Sequence, residues 1–260
     1  MGIIHLGTSG YSYREWVGPV YPEGTKPDAY LRSYARLFST VELNYSYYRM
    51  PTPEQLAALI QKAGSPLMFS IKAHETLTHK IDWYAWKTQA QTFRDALKPL
   101  QEAQCLEAVL FQFPYAFHYE PENRRYLDML LGAFPEIPRA VEFRNKQWYQ
   151  DRVIQGLRER QTSLVAVDLP SLPGLPPILE TITSPLGYIR LHGRNHGAWW
   201  SSDGAARYDY WYDDAALKSW RDRIRRMQAQ TDRILVYFNN HPKGQGAVNA
   251  QRLRELLDMP

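Results

Sequence analysis

Ala140-Val141-Glu142-Phe143-Arg144 alternates apolar and charged residues, and the same alternation recurs along the whole chain. Side chains of a strand change face at every residue, so Val141 and Phe143 share one face while Glu142 and Arg144 share the other. Working outward, the pattern returns in Val41-Glu42-Leu43-Asn44, Phe69-Ser70-Ile71-Lys72, Val109-Leu110-Phe111-Gln112, Val165-Ala166-Val167-Asp168, Ile189-Arg190-Leu191-His192 and Val236-Tyr237-Phe238-Asn239. One parity is apolar throughout. The other carries Glu42, Asn44, Lys72, Gln112, Glu142, Arg144, Asp168, Arg190, His192 and Asn239. Seven strands are thus expected to bury one face each and to aim the other at one shared polar place.

An eighth strand opens the chain at Ile3-Ile4-His5-Leu6-Gly7-Thr8, and helical periodicity separates the strands. Residues 28–38 place Tyr30, Leu31, Tyr34, Leu37 and Phe38 on one helical face. Thr52-Pro53 reads as an N-cap followed by proline in the first turn. Further helices are expected over residues 85–103, 121–131, 151–160, 213–228 and 246–257, whereas 171–184, rich in Pro and Gly, reads as a loop with a short helical turn. Repeated strand and helix units imply a parallel sheet. An open, doubly wound sheet would bury both faces of its central strands. Polar residues on the second parity favour closure instead. The expected fold is a single α/β domain over residues 1–260, a (β/α)8 TIM-type barrel with eight parallel strands. The long loops 11–26, 115–121 and 193–212 follow strands and are rich in aromatic residues. They would lie at the C-terminal face, where barrel enzymes hold their sites.

Composition sets further bounds. An apolar fraction of 44% is enough for a packed core, and 18 Tyr with 8 Trp favour surfaces that are apolar at one end and wet at the other. A net charge of +4 suits an anionic ligand, but no block of like charge reads as a nucleic-acid tail. The single cysteine, Cys105, excludes an intrachain disulfide and a cysteine-only metal cluster. The N-terminus has no signal-peptide pattern, and no run approaches the roughly 20 apolar residues of a membrane span. The expectation is a cytoplasmic protein without a membrane partner.

The polar strand ends nominate the chemistry. Glu142 is the first choice for acid or base, with His192 or Glu42 as its counterpart and Asp168 on the next strand. The structural alternative is a salt-bridge lattice of these carboxylates with Lys72, Arg144 and Arg190. The same three cations, with Arg194 as a fourth candidate, would otherwise orient an anionic substrate. Asn44, Gln112, Asn239, Ser9 and Tyr13 are expected to complete the substrate contacts. Gly7-Thr8-Ser9-Gly10 reads equally as an anion-cradling turn or as a tight exit from the first strand. No cofactor is expected. A divalent metal on Glu142, Asp168 and His192 is the less favoured alternative, because the chain lacks His-x-His and His-Glu-x-x-His spacings. There is no Gly-x-Ser-x-Gly elbow to activate a serine. The aromatic loops read equally as platforms for sugar or base faces and as a lid packed on itself.

These segments also resemble a known family. Gly7-Thr8-Ser9-Gly10-Tyr11-Ser12-Tyr13 is similar to its opening motif, usually with Trp in place of Tyr11. Val41-Glu42-Leu43-Asn44 with Tyr48 resembles its second, although Tyr45 stands where a small residue is usual. Phe69-Ser70-Ile71-Lys72-Ala73 with Thr78-His79, Leu110-Phe111-Gln112-Phe113-Pro114, Val141-Glu142-Phe143-Arg144 with Trp148, Tyr188-Ile189-Arg190-Leu191-His192-Gly193 and Tyr237-Phe238-Asn239-Asn240 complete the set. Asn145 replaces a frequent His. The family is the YecE-like family, or domain of unknown function 72. The resemblance implies a triosephosphate-isomerase-type barrel and no settled reaction.

The expected function is acid/base chemistry (isomerisation, epimerisation or hydrolysis) on a small, polar, anionic substrate bearing a ring or several hydroxyls. The alternatives are a nucleic-acid-binding or metal-dependent phosphodiesterase barrel and a non-catalytic ligand-binding barrel. A common glycosidase arrangement is disfavoured, since by analogy of fold it needs carboxylates on strands four and seven. Those strands offer Gln112 and Arg190 with His192.

Overall fold

The alternating runs form strands. The computed structural model describes residues 2–201 and 204–259. Among these the strands are β1 (Ile3–Thr8), β2 (Thr40–Leu43), β3 (Met68–Lys72), β4 (Leu106–Phe113), β5 (Arg139–Phe143), β6 (Thr162–Leu164), β7 (Ala166–Asp168), β8 (Leu186–Leu191) and β9 (Arg233–Phe238). All pairings are parallel, in a four-stranded sheet of order β1-β9-β8-β7 and a five-stranded sheet of order β2-β3-β4-β5-β6.

The helices are α1 (Tyr30–Ala35), α2 (Tyr45–Tyr48), α3 (Pro53–Ala63), α4 (Trp86–Glu102), α5 (Pro121–Gly132), α6 (Asp151–Glu159), α7 (Gly204–Tyr208), α8 (Asp214–Gln228) and α9 (Gln245–Leu256). Helix α3 shows how the local sequence sets its bounds. Thr52 Oγ1 accepts from Gln55 N at 3.3 Å, and Gln55 Oε1 accepts from Thr52 N at 3.2 Å, a reciprocal capping box. The short helices α2 and α7 lie in segments read as loops, because four and five residues carry no helical period. The 171–184 segment contains no helix.

Two seams lie between the sheets. At the first, Ser9 and Glu42 form a parallel bridge, and Gly10 N donates to Glu42 O at 2.7 Å. Gly7 permits this approach, because a Cβ there would overlap the Thr40 carbonyl oxygen. At the second, Val165 alone separates β6 from β7. Its N–H donates to Val141 O at 2.9 Å, while His192 N donates to Asp168 O at 3.1 Å.

The core has two layers. Val41, Leu43, Phe69, Ile71, Val109, Phe111, Val141, Phe143, Ile189, Leu191, Val236 and Phe238 pack with helix residues such as Leu56, Phe93, Leu130, Trp220 and Leu253. Ala108, Leu110, Ala140, Val165, Val167, Tyr188, Leu235 and Tyr237 form a second cluster on the opposite strand face. The expected parity holds on six of the seven runs and fails on one. Val165 and Val167 belong to the second cluster, whereas Ala166 belongs to the helix-facing one. In register, Asp168 pairs with Leu191 and Val167 with Arg190. Asp168 therefore turns to the helices, away from the polar strand ends it was expected to join. Among the described residues no helix is long and apolar enough to cross a membrane.

Candidate functional site

Arg190, near the end of β8, is the centre of the polar cluster and is only 2% exposed. Its Nη2 and Nε donate to Glu42 Oε1 at 2.6 and 3.1 Å, and its Nη1 donates to Glu142 Oε2 at 2.7 Å. One guanidinium thus ties β8 to both β2 and β5, a use that suits its fixed fork of donors. Glu42 is fully buried and fully engaged. Ser9 Oγ donates to Oε1 at 2.6 Å, and Tyr188 OH donates to Oε2 at 2.6 Å.

Glu142 is also fully buried. Arg144 Nε lies 2.5 Å from its Oε1, yet no donor is aligned on that oxygen. Burial raises the Glu142 carboxyl, but the adjacent Arg144 and Arg190 charges outweigh burial and hold it well below the usual carboxylate range. His192 Nε2 sits 3.2 Å from the same oxygen. Burial, and then the Arg144 charge, pull the imidazole down to about 3, so it is neutral at pH 7 and makes no ion pair. Asn239 Nδ2 donates to His192 Nδ1 at 2.9 Å, which puts the ring proton on Nε2, toward Glu142. Arg144 Nη2 approaches that nitrogen at 3.3 Å and acts on it as a charge.

Lys72 ends β3 and differs from the other cations. Its Nζ lies 4.1 Å above the Tyr47 ring, and among the described residues it has neither a hydrogen bond nor a carboxylate at ion-pair distance. Burial, and then Arg190, lower its pKa to about 7, and Glu142 and Glu42 offset this only in part. Tyr47 comes from α2 and meets His79 edge-on at 4.8 Å. Burial and Lys72 likewise pull His79 down to about 4. Asn44 follows β2, one residue past the Leu43–Ile71 pair of β2 and β3, and its Oδ1 is buried without a donor among the described residues.

Most nominated residues do converge. Glu42, Glu142, Arg144, Arg190, His192, Asn239 and Ser9 are joined by direct contacts, and Lys72 lies within their field. Gln112 pairs in register with Glu142, though its amide donates to Phe113 O at 2.9 Å. Tyr13 OH donates to Ser9 O at 2.8 Å, and its ring stacks on His241 at 4.6 Å. Asp168 does not converge. It accepts from Arg194 Nε and Nη2 at 2.7 and 2.8 Å and from Trp220 Nε1 of α8 at 2.6 Å. The Glu142, Asp168 and His192 metal triad is therefore not assembled, and Arg194 leaves the cationic set with Asp168.

The Gly7-Thr8-Ser9-Gly10 turn is a tight strand exit. The N–H groups of Thr8, Ser9 and Gly10 donate to Tyr34 OH, Phe238 O and Glu42 O, so none is left for an anion. The aromatic loops divide. Trp148 stacks between Phe143 and Phe117 at 4.5 and 5.1 Å and is core, whereas Tyr48, Trp200 and Trp211 are exposed. Arg144 lies 5.4 Å over Trp199.

Sequence reasoning missed three groups. Tyr188 was visible two residues before Arg190, on the same parity, as a partner for Glu42. Tyr47 stood only as one of the three tyrosines that follow the second strand, with nothing to single it out as the ring under Lys72. At the opposite strand ends, Glu107 is fully buried between His5 and Arg233, the latter at 2.6 Å. This pair borders a cavity of about 470 Å³ lined by Ile3, Arg139 and Leu186.

The family profile described as "Protein of unknown function DUF72" matches residues 5–260. The chain is 27% identical to UPF0759 protein YunF of Bacillus subtilis (strain 168) over 272 residues, 99% of this chain and 95% of that one. A DUF72 family crystal structure from Thermotoga maritima is similar with 34% identity and a TM-score of 0.91, covering 98% of this chain and 99% of the other. One from Enterococcus faecalis has 27% identity and a TM-score of 0.88, covering 99% and 96%.

Proposed function

The chain belongs to the DUF72 family, and from that premise we propose that its strands close into one eight-stranded (β/α)8 barrel whose C-terminal mouth carries out acid/base chemistry on a small anionic substrate. Closure over a single domain is supported by the Ser9–Glu42 bridge and by the one-residue gap at Val165, which makes β6 and β7 one interrupted strand. Polar residues then meet at the mouth, as in barrel enzymes generally.

One observation carries the functional reading: Lys72 is a half-buried amine with no carboxylate at ion-pair distance among the described residues, in the field of a buried lattice whose two carboxylates are already paired with two guanidiniums. Three cations face two carboxylates, so the mouth has a positive charge to offer a carboxylate or phosphate. Lys72 and Arg144 are the anion-binding pair. Glu42 and Glu142 hold Arg190 in place. Glu142, ionised and flanked by guanidiniums, is a weak base, so proton transfer passes to Lys72, whose pKa of about 7 matches that task. His192 Nε2–H is the neutral donor in the same cluster. Asn44 Oδ1 supplies an acceptor for a substrate hydroxyl.

Calorimetry with inorganic phosphate, in buffers of different ionisation heats, tests this reading. An anion beside Lys72 raises its pKa, so binding is expected to take up a fraction of a proton between about pH 7 and 9. Lys72→Met should weaken binding at least about tenfold. Equal affinity in the two proteins, or binding without proton uptake, would overturn the reading.

A further inference from the structure

We propose that Lys72 is a Schiff-base-forming amine and that the substrates of this site are anionic aldehydes or ketones, an inference that rests on the anion-binding reading above. Four features of the site carry it. The amine stands at the end of a strand, so its backbone is fixed by the β3 pairings to β2 and β4. Nothing ties up its lone pair, since Nζ is free of carboxylates at ion-pair distance and of hydrogen bonds among the described residues and stands over the Tyr47 ring. Arg144 lies in the same field, and its guanidinium can hold a carboxylate or phosphate while the amine reaches the carbonyl carbon. Asn44 Oδ1 is an unused acceptor for the carbinolamine hydroxyl.

The chemistry balances without a further reagent. The unprotonated amine attacks the carbonyl carbon, a C–N bond forms, and the carbonyl π pair moves to oxygen, which takes a proton. The carbinolamine then loses that oxygen as water and becomes an iminium. Counted from the ammonium form, two of its three hydrogens leave with the carbonyl oxygen and the third stays on the iminium nitrogen. The positive charge is conserved, so the step removes no charge from the electrostatics of the mouth. Burial and the Arg190 charge bring the amine to a pKa of about 7, which leaves about half of it nucleophilic at neutral pH. An ordinary exposed lysine, near 10.4, has fewer than about one part in a thousand unprotonated there. An iminium acidifies the neighbouring C–H bonds, so aldol cleavage, dehydration or decarboxylation of an oxo acid become accessible from a single residue.

Reductive trapping with borohydride tests the assignment on the intact native protein. Three probes are used: pyruvate, dihydroxyacetone phosphate and acetone. Peptide mass spectrometry then compares Lys72 with the exposed Lys26 and Lys62. Lys72 is expected to be reduced onto one of the anionic probes at least ten times faster than the exposed lysines, and the preference should vanish in urea. The probe that traps faster tells a carboxylate-bearing from a phosphate-bearing substrate. Preference for Lys72 with none of the three probes overturns the inference. If phosphate still binds with proton uptake in that case, the anion site stands and only the Schiff base falls. If acetone traps Lys72 as fast as the anionic probes, the amine assignment stands and the anion reading falls. Lys72→Arg, which keeps the charge, should retain phosphate binding and yield no preferred adduct.

Discussion

Replacing Lys72 by methionine should stabilise the protein in mild acid and stop doing so in mild base. In the folded chain the amine titrates at about 7, while in the unfolded chain it titrates near the ordinary lysine value of about 10.4. Between those values the unfolded state holds more protons, so the wild-type stability rises with pH through that window. Below pH 7 both states are charged, and the native state bears the whole cost of an unpartnered ammonium. Each unit of displacement is worth about 1.4 kcal/mol, which sets a ceiling on the order of 4–5 kcal/mol. Solvent reaches part of the side chain, and screening reduces the ceiling to ~1–3 kcal/mol. Methionine matches the stem in volume and gives up only the contact with Tyr47, worth about 0.5–1 kcal/mol. Urea unfolding at pH 6, 7, 8, 9 and 9.5 should therefore show Lys72→Met more stable by ~2 kcal/mol at pH 6, or about 4–8 °C in Tm. The gap should close as the pH passes 9. A variant that is less stable than wild type by the same amount at every pH would refute the reasoning, because Lys72 would then be an ordinary, well-partnered lysine.

Glu142→Gln leaves Arg144 and Arg190 short of a buried carboxylate and should cost ~3–5 kcal/mol in urea unfolding. Because the Glu142 carboxyl is held well below its usual range, that contribution is complete above about pH 5, and the gap should narrow progressively as the pH falls from the ordinary glutamate value of about 4.3 toward the lowered folded one. Nitrogen-detected spectra of His192 should show the neutral Nε2–H tautomer from pH 5 to 8, and a titration step near 6.5 would contradict its burial beside Arg144. Asp168→Asn should cost ~1.5–3 kcal/mol through Arg194 and Trp220 while leaving phosphate affinity within twofold; loss of affinity would put Asp168 back at the site. Gly7→Ala forces a methyl group into the Thr40 carbonyl and should cost ~1–3 kcal/mol, measured as a lower urea midpoint, unless the β1–β2 seam is open in solution.

How far the sequence was legible depends on how unlike the two parities of each run were. In Val141-Glu142-Phe143-Arg144 and Ile189-Arg190-Leu191-His192 one parity is purely apolar and the other purely polar, so only one face can be buried against helices. Both runs lie as read. Val165-Ala166-Val167-Asp168-Leu169 has apolar residues on both parities, and a lone terminal aspartate was the only guide. There the chain breaks at Val165 and turns the aspartate outward, where Trp220 of α8 and Arg194 of the loop after β8 receive it. Those partners lie 52 and 26 residues away in sequence, and no local pattern announces them. The helices of the long periodic segments were legible for the same reason as the strands. Helices α2 and α7 were not, since four and five residues are too few to show a period.

That single reversed strand changes the meaning of every charge at the mouth. With Asp168 included, three carboxylates match three cations, and a self-contained salt-bridge lattice explains the whole pattern. Asp168 instead leaves that set to pair with Arg194, which is not one of the three cations, so two carboxylates remain against Lys72, Arg144 and Arg190, and Arg190 already bridges both. Arg144 completes Glu142. The lattice reading is then correct for four residues and fails for the fifth, because it leaves Lys72 nothing to pair with. A buried charge without a partner costs stability, and a lattice built only to hold strands together has no use for it. The same charge is useful to a site that receives its partner from solution. The scaffold and the site therefore overlap only at Arg144: Glu42, Glu142 and Arg190 fix the geometry, Arg144 completes Glu142 and adds its charge to the mouth, and Lys72 is the group left to act.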